Sequence, residues 1–346
     1  MKKLLLPISM ILALAFQINA QSITKMFRGY ISGAPIQITL TRTGDNLSGT
    51  YLYTRIGKDL KLAGTIDAGG NFKLKESDTT GKTTGEFSGK WIEAANANGA
   101  SLEGEWRKPN SKNTLGFIAV EQVIEFTNGA KFVSKNFAEN NKPKRFTISA
   151  EYPEISGVSA GTMAKFNELS KTLSMASVAE FRKNMMAQTK EDLSYLPAGM
   201  SNYLDIGYGI EWATNDVISV QFLNSFFAGG VHPNYYTSTL NFDLKSGKEI
   251  TLADLFQPNS GYLKAISDYS IADLKTRLSD MSDDDWIATG AGADAENYKS
   301  WNLTKKGLMI TFDQYQVAAY AAGPQTVIIP YSKLKGILRT NFIASN

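Results

Sequence analysis

A short glycine-centred motif recurs four times in the first 110 residues of this 346-residue chain. Each copy has a large apolar residue two positions before a glycine and another two positions after it. The copies lie at residues 47–51, 62–66, 87–91 and 102–106. Because side chains alternate along a strand, the three positions of a copy share one face, and the glycine lets the sheet bend sharply. The repeat predicts an all-β meander or small barrel-like domain over residues 21–120.

Turn-forming residues recur about every ten residues in this region and mark plausible hairpin tips. These tips lie at residues 45–46, 68–71, 80–82 and 96–99. Two interpretations apply to Trp91 and Trp106 within such a domain. They could line a ligand cavity, but packing in the core is the interpretation that we favour.

The apolar spacing changes after residue 145. Residues 145–153 alternate like a strand that Pro153 should end. Then Met163, Phe166, Leu169 and Leu173 recur at three- and four-residue intervals, which indicates an amphipathic helix. Alternation returns at 203–212, 217–227, 235–244, 308–312 and 326–330, and helices are expected at 251–256, 262–278 and 331–338. Residues 146–346 therefore predict an α+β domain with a mainly antiparallel sheet and packed helices.

Residues 121–145 form a boundary region between these two parts. Two short apolar runs, 120–126 and 131–137, precede a polar segment at 138–143. The sequence leaves open whether the runs complete the first sheet or begin the second domain.

Residues 1–20 have the pattern of a secretory signal peptide, with Lys2 and Lys3 before an apolar run and Ala20 at the expected cleavage site. The apolar run is shorter than the roughly 20 residues that span a bilayer. We therefore expect an exported chain, periplasmic or extracellular, with no transmembrane segment after cleavage. Its net charge falls from +3 to +1 when Lys2 and Lys3 are removed. No basic face is clustered enough for nucleic acid, so we predict no nucleic-acid partner.

The chain has no cysteine and one histidine, His232. Disulfides, thiolate nucleophiles and Cys/His zinc sites are therefore excluded. Any catalysis would have to use this imidazole, carboxylates or hydroxyls. We predict no metal and no cofactor.

Three stretches carry a resemblance to a known family: residues 146–157, 227–256 and 312–331. They include GGVHPN at 229–234, LNFD at 240–243 and LADLF at 252–256. Residues 145–340 resemble the RsiV/PdaC-like family of exported bacterial domains, of the DUF3298/DUF4163 type. The resemblance implies a binding scaffold, because RsiV-like members recognise lysozyme and PdaC-like copies accompany a separate catalytic domain. We expect neither RsiV-type signalling nor PdaC-type catalysis here, and residues 21–120 have no counterpart in the family.

Two loops within these stretches are candidate site elements. Gly229, Gly230 and Pro233 should shape the first loop, with the glycines at positive φ, and Gly323 and Pro324 should shape the second. His232 either holds its loop through backbone hydrogen bonds, which we favour, or acts as a general base or pH-sensitive contact. We expect the loops to meet and to form a binding surface with six polar side chains: His232, Asn234, Tyr235, Tyr236, Tyr315 and Tyr320.

An acidic segment lies between Arg277 and Lys299 and contains Asp283, Asp284 and Asp285. It would attract a cationic protein such as lysozyme. The favoured alternative is a helix cap at residues 282–283 followed by a solvated insertion. Its spacing does not match a calcium loop.

Residues 157–161, GVSAG, fit the G-x-S-x-G pattern, and Asp205 and His232 follow in the chain order of a hydrolase. No apolar strand directly precedes Ser159, so this serine is better interpreted as a helix N-cap. The leading hypothesis is an exported, non-catalytic binding protein that recognises a lysozyme-like protein or a peptidoglycan fragment. The alternative is a cell-envelope hydrolase that uses Ser159 and His232 or a carboxylate pair.

Overall fold

The computed structural model describes residues 21–93, 98–157 and 161–339, so the predicted signal peptide and Ser159 lie outside the described residues. Eight antiparallel strands form a closed barrel in which each pairs with the next and the last pairs with the first. The strands are β1 (Ser22–Ile31), β2 (Ala34–Thr43), β3 (Asn46–Tyr53), β4 (Leu60–Ile66), β5 (Asn71–Ser77), β6 (Thr83–Ile92), β7 (Ser101–Arg107) and β8 (Thr114–Gln122). The predicted barrel-like domain is confirmed.

The glycine repeat explains how the barrel closes. The apolar residues of all four copies point into the core, and Trp91 and Trp106 are buried there as predicted. A Cβ added to Gly49 would lie 1.9 Å from the carbonyl oxygen of Thr39. Gly49 therefore allows an approach between β2 and β3 that any larger residue would block, and this permits the strong curvature of a small barrel.

The second part of the chain is built on a six-stranded sheet in the order β14-β13-β12-β11-β10-β9, antiparallel except for the β10–β11 pair. Its strands are β9 (Lys131–Asn141), β10 (Phe146–Ser156), β11 (Asn202–Ala213), β12 (Val217–Phe227), β13 (Asn234–Asp243) and β14 (Lys248–Glu249). A three-stranded sheet contains β15 (Trp301–Leu303), β16 (Gly307–Phe312) and β17 (Gln325–Pro330). Thus the apolar run at 120–126 is divided: β8 ends the barrel at Gln122, and residues 123–126 contact β11. The run at 131–137 belongs to the second sheet.

Helices complete this α+β part, which confirms the predicted fold class. They are α1 (Gly161–Ala187), α2 (Lys190–Ser194), α3 (Tyr262–Arg277) and α4 (Asp284–Gly290), with 3-10 turns at Leu252–Leu255, Ala295–Tyr298, Tyr320–Ala322 and Tyr331–Lys333. Within the described parts of the chain, none of these helices combines the length and apolar character needed to cross a membrane.

Helix α1 covers one face of the six-stranded sheet. The even-numbered residues of β11 from Leu204 to Ile210 point toward this helix and share a core with Phe166 and Val178. The odd-numbered residues of β11 therefore point to the opposite face. The barrel and the three-stranded sheet both approach that opposite face, and a cleft remains between them.

Some predicted element bounds were wrong. Pro153 does not end its strand, because β10 continues to Ser156. Its pairing with β11 stops at Ala150, and so the missing N–H of Pro153 is tolerated on a strand with a single neighbour. The helix expected at 331–338 is only a 3-10 turn, and the helix expected at 251–256 is the 3-10 turn Leu252–Leu255.

Candidate functional site

The candidate site is the cleft between the barrel and the two sheets, with a volume of about 860 Å³. Ligand sites in proteins commonly have volumes of about 300–1,000 Å³. Strands β1 and β8 supply one wall, β11, β12 and β13 form the floor, and β16 and β17 supply the opposite wall. The cleft is therefore within the size range of ligand sites, and three separate parts of the chain build it.

The floor lacks side chains at two positions because β11 has two glycines on its cleft face. Asp205, Gly207, Gly209 and Glu211 are consecutive odd-numbered positions, and all four line the cleft. A Cβ on Gly209 would meet only the side chains of Glu211 and Gln122, at 3.4 Å or more. The strand thus presents bare backbone between two carboxylates.

The walls combine aromatic and aliphatic side chains. Tyr30 and Val120 project from the barrel, and Met309 and Ile328 project from the three-stranded sheet. The Tyr30 hydroxyl lies 2.8 Å from the position that a Cβ on Gly207 would occupy, so this ring reaches across to the floor. Apolar walls with a few placed polar groups are typical of sites for small organic ligands.

Arg28 joins the barrel to the sheet below the cleft. Its guanidinium forms an ion pair with Glu151, and both side chains are less than a tenth exposed. It also donates to the hydroxyl of Tyr208 at 3.2 Å and lies 4.0 Å from the centre of that ring. Thr54, which follows β3, donates to the other oxygen of Glu151. These contacts fix the position of β1 relative to β10 and β11, and hence the width of the cleft.

The two carboxylates of the floor differ in their partners. Arg55 binds Asp205 at 2.8 Å, and both side chains are about half exposed. Glu211 accepts a hydrogen bond from Asn98 Nδ2 at 3.0 Å. Burial raises the pKa of both carboxyl groups; the Arg55 charge and the Asn98 hydrogen bond oppose that rise only in part. Glu211 has no cationic partner among the described residues.

The two loops singled out in the sequence contact each other, as predicted. His232 Nε2 lies 3.4 Å from the hydroxyl of Tyr315, and the ring of Tyr320 lies 4.0 Å from the imidazole. The Tyr320 hydroxyl donates to the carbonyl of Pro233 at 2.8 Å. Gly229, Gly230 and Gly323 have positive φ, which fits their predicted loop-shaping role, and Pro324 follows Gly323 directly. We call this group the loop cluster, defined by His232, Pro233, Tyr315 and Tyr320.

Three other predicted residues lie at different places. Tyr236 is not part of the loop cluster, because its hydroxyl donates to Ser177 on α1, on the other side of the sheet. Asn234 begins β13 and pairs with Phe226, at the edge of the cluster. Tyr235 lines the cleft and contacts Tyr320, so it connects the cleft to the loop cluster.

The acidic segment lies beside the loop cluster. Asp283 caps α4 by accepting from the backbone N–H of Trp286, as the helix-cap interpretation predicted. Asp284 and Asp285 lie in the exposed first turn, where Asp284 pairs with Lys275. The Trp286 indole donates to the carbonyl of Tyr315 at 3.0 Å, and this bond ties α4 to the cluster.

The cleft itself was not predicted. Of the candidate binding residues, only Tyr235 lines it. One signal was available in the sequence: residues 205–211, DIGYGIE, alternate between apolar residues and Asp, Gly, Gly and Glu. Two glycines on one face of an interior strand indicate close approach of another chain segment or a ligand.

His232 contacts loop atoms, and we expect a structural effect when it is changed. Its Nδ1 lies 2.9 Å from the carbonyl of Pro233, and no carboxylate is among its partners in the described parts of the chain. His232→Ala should lower the free energy of unfolding by about 1 kcal/mol, because the ring contact and hydrogen bond are lost. Thermal unfolding measures this. Val231→Ala, at a side chain that is 98% exposed, is the matched control and should change nothing; equal stability of both variants would contradict the role.

The fold consists of an eight-stranded barrel that lies against one face of the six-stranded sheet of an α+β part, with the cleft between them. Residues 253–332 match the family model described as "Protein of unknown function (DUF3298)", so this chain contains a DUF3298 domain and the predicted resemblance is confirmed there. Crystal structures of DUF3298 family proteins from Bacteroides fragilis and Pseudomonas aeruginosa are similar, with 20% and 16% identity and TM-scores of 0.45 and 0.46. They cover 61% and 63% of this chain, and 94% and 97% of their own.

Two curated relatives also match. The peptidoglycan-N-acetylmuramic acid deacetylase PdaC of Bacillus subtilis is 26% identical over 203 residues, which are 59% of this chain and 41% of PdaC. The immunogenic protein MPT64 of Mycobacterium tuberculosis is 28% identical over 111 residues, 32% of this chain and 47% of that protein. The matched region thus spans less than half the length of either relative.

Proposed function

We propose that this protein is a non-catalytic binding protein of the cell envelope whose cleft holds a segment of a peptidoglycan glycan strand. The observation that carries the proposal is the glycine floor of β11, where Gly209 leaves the backbone uncovered and the Tyr30 hydroxyl lies over Gly207. The relation to PdaC, whose name specifies a peptidoglycan sugar, supports this ligand class.

The chemistry of the cleft suits a pyranose sugar. Such a ring has C–H bonds on its faces and hydroxyl or amide groups around its rim. Tyr30 and Tyr235 offer aromatic surfaces to the faces, and Asp205 and Gln221 offer hydrogen-bonding groups to the rim. A glycan strand is extended, and the floor runs along β11, so several sugars can be held in a row.

The spacing of the acidic residues favours binding over hydrolysis. Asp205 and Glu211 are six positions apart on one strand, roughly 20 Å at the rise of a β-strand. The two carboxyl groups of glycosidases are about 5–9.5 Å apart. Glu151 is engaged by Arg28 and Thr54. Asp205 and Glu211 therefore do not form a carboxylate pair of the kind that the alternative hydrolase hypothesis requires.

Calorimetric titration tests the proposal. The titrant is a tetrasaccharide of alternating N-acetylglucosamine and N-acetylmuramic acid, prepared from peptidoglycan. We expect saturable binding with a micromolar to millimolar Kd, about −8 to −4 kcal/mol, and an unchanged ligand mass afterwards. Cleaved or deacetylated product would contradict the non-catalytic role, and no heat at millimolar ligand would contradict glycan binding.

The other predicted partner, a lysozyme-like protein, stays a prediction. Asp283, Asp284 and Asp285 would supply the charge complementarity, and they lie beside the loop cluster and away from the cleft floor. We prefer a glycan to a protein as the ligand because the cleft is a concave site, whereas the acidic segment is the exposed first turn of α4.

A further inference from the structure

In the described parts of the structure, one end of the cleft contains a buried hydrogen-bond acceptor that lacks a donor, next to a carboxylate that has a single donor. Asn98 Nδ2 donates to the side chain of Glu211 at 3.0 Å and to its main-chain carbonyl at 2.6 Å. These bonds fix the orientation of the Asn98 amide. Its Oδ1 atom is buried and has no hydrogen-bond partner among the described residues. A buried acceptor without a donor is costly in a folded protein, and such sites often mark where a ligand binds.

Glu211 is the second acceptor. Its Oε1 lies 3.4 Å from the position of a Cβ on Gly209, so the carboxylate folds back over the bare floor of the cleft. Asn98 is the one hydrogen-bond donor that contacts this carboxylate within the part of the chain that the structure describes. By contrast, Asp205 at the other end of the floor is already paired with Arg55. Among these residues, the Glu211 end of the cleft thus has a carboxylate that is not in an ion pair and an amide oxygen without a donor.

We propose that Glu211 and Asn98 form a subsite for a primary amino group on the glycan, that is, for an amino sugar that carries no acetyl group. This inference rests on the proposed function. It predicts that the cleft prefers the free-amine form of a glycan to its N-acetylated form. Removal of the acetyl group from an N-acetylated sugar produces such an amine. The protein would therefore bind a strand that a deacetylation reaction has already modified.

The geometry favours an amino group over other occupants. A protonated amine donates three hydrogen bonds and carries the charge that Glu211 lacks, whereas a hydroxyl donates one and is neutral. An N-acetyl group offers a single N–H and adds a bulky acyl group beside Asn98. A calcium ion needs six to eight oxygen ligands, more than these two side chains supply.

The test compares two sugars of equal length in calorimetric titrations: glucosamine tetrasaccharide, with free amines, and its fully N-acetylated form. We expect the wild-type protein to bind the free-amine form at least tenfold more tightly. Glu211→Gln should abolish this preference, because the charge is lost while the shape is kept. Glu105→Gln makes the same change at an exposed position on β7, outside the cleft, and should keep the preference.

A thermal melt distinguishes loss of the subsite from loss of the fold. Burial raises the pKa of Glu211, because a buried carboxylate without a cationic partner is costly in the unliganded protein. A neutral glutamine removes that cost, and Glu211→Gln should melt no lower than the wild type.

Equal affinity of the wild-type protein for the two sugars would overturn the subsite but leave glycan binding intact. No binding of either sugar, or of the peptidoglycan tetrasaccharide, would overturn both proposals. A third arm uses a peptide-bearing peptidoglycan fragment with N-acetylated sugars and a free amine on the peptide. If only this fragment bound, and Glu211→Gln abolished that binding, the subsite would hold the peptide amine. That result would contradict the assignment to an amino sugar.

Discussion

Replacing Arg28 with alanine is expected to lower the free energy of unfolding by about 3–5 kcal/mol, because the buried carboxylate of Glu151 loses its counter-charge. The barrel should also melt separately from the rest of the chain, since Arg28 contributes the buried ion pair between them. Differential scanning calorimetry measures both effects. We expect one transition for the wild-type protein and two for Arg28→Ala.

Arg55→Ala is the matched control for this prediction. Arg55 also belongs to the barrel part and pairs with a carboxylate of β11, but its ion pair with Asp205 is about half exposed. Water screens such a pair, and its loss should cost at most about 1 kcal/mol. Equal effects of the two substitutions would show that burial of the Arg28 pair does not hold the barrel in place.

Replacing Gly209 with leucine should reduce affinity for the peptidoglycan tetrasaccharide at least 100-fold. The new side chain would project from the floor into the cleft, where the nearest protein atoms are 3.4 Å or more from its Cβ. The fold should tolerate the change, because glycine weakens the interior of a strand and leucine fits better there. Calorimetric titration gives the affinity, and a thermal melt should show an unchanged or higher Tm.

Gly116→Leu provides the control. Gly116 lies on β8 with no atom within 4 Å of an added Cβ, is exposed, and does not line the cleft. The same substitution there should leave the affinity unchanged. If Gly209→Leu bound the tetrasaccharide as well as Gly116→Leu does, the ligand would not lie on the floor of β11.

The barrel could be predicted because its signal is local. Each copy of the repeat, such as residues 47–51, contains both the inward apolar positions and the glycine that permits curvature. The loop cluster was predicted for a different reason, since His232 and Tyr315 lie within distinctive motifs of a known family.

The cleft could not be predicted because no single segment contains it. Tyr30, Gly209 and Ile328 come from three regions of the chain that meet only after the barrel docks on the sheet. That docking depends on Arg28 and Glu151, which are 123 positions apart and have no local pattern in common. Pro153 shows the same limit: whether a proline ends a strand depends on how many neighbouring strands require its N–H.

The most direct test of the central claim is an NMR titration of the protein with the peptidoglycan tetrasaccharide, following the backbone amides. We predict that the largest shift changes occur at Gly207, Gly209 and Glu211 and on the facing β1 wall near Tyr30, with small changes around His232. Changes confined to the loop cluster, or an unchanged spectrum at millimolar ligand, would contradict the account.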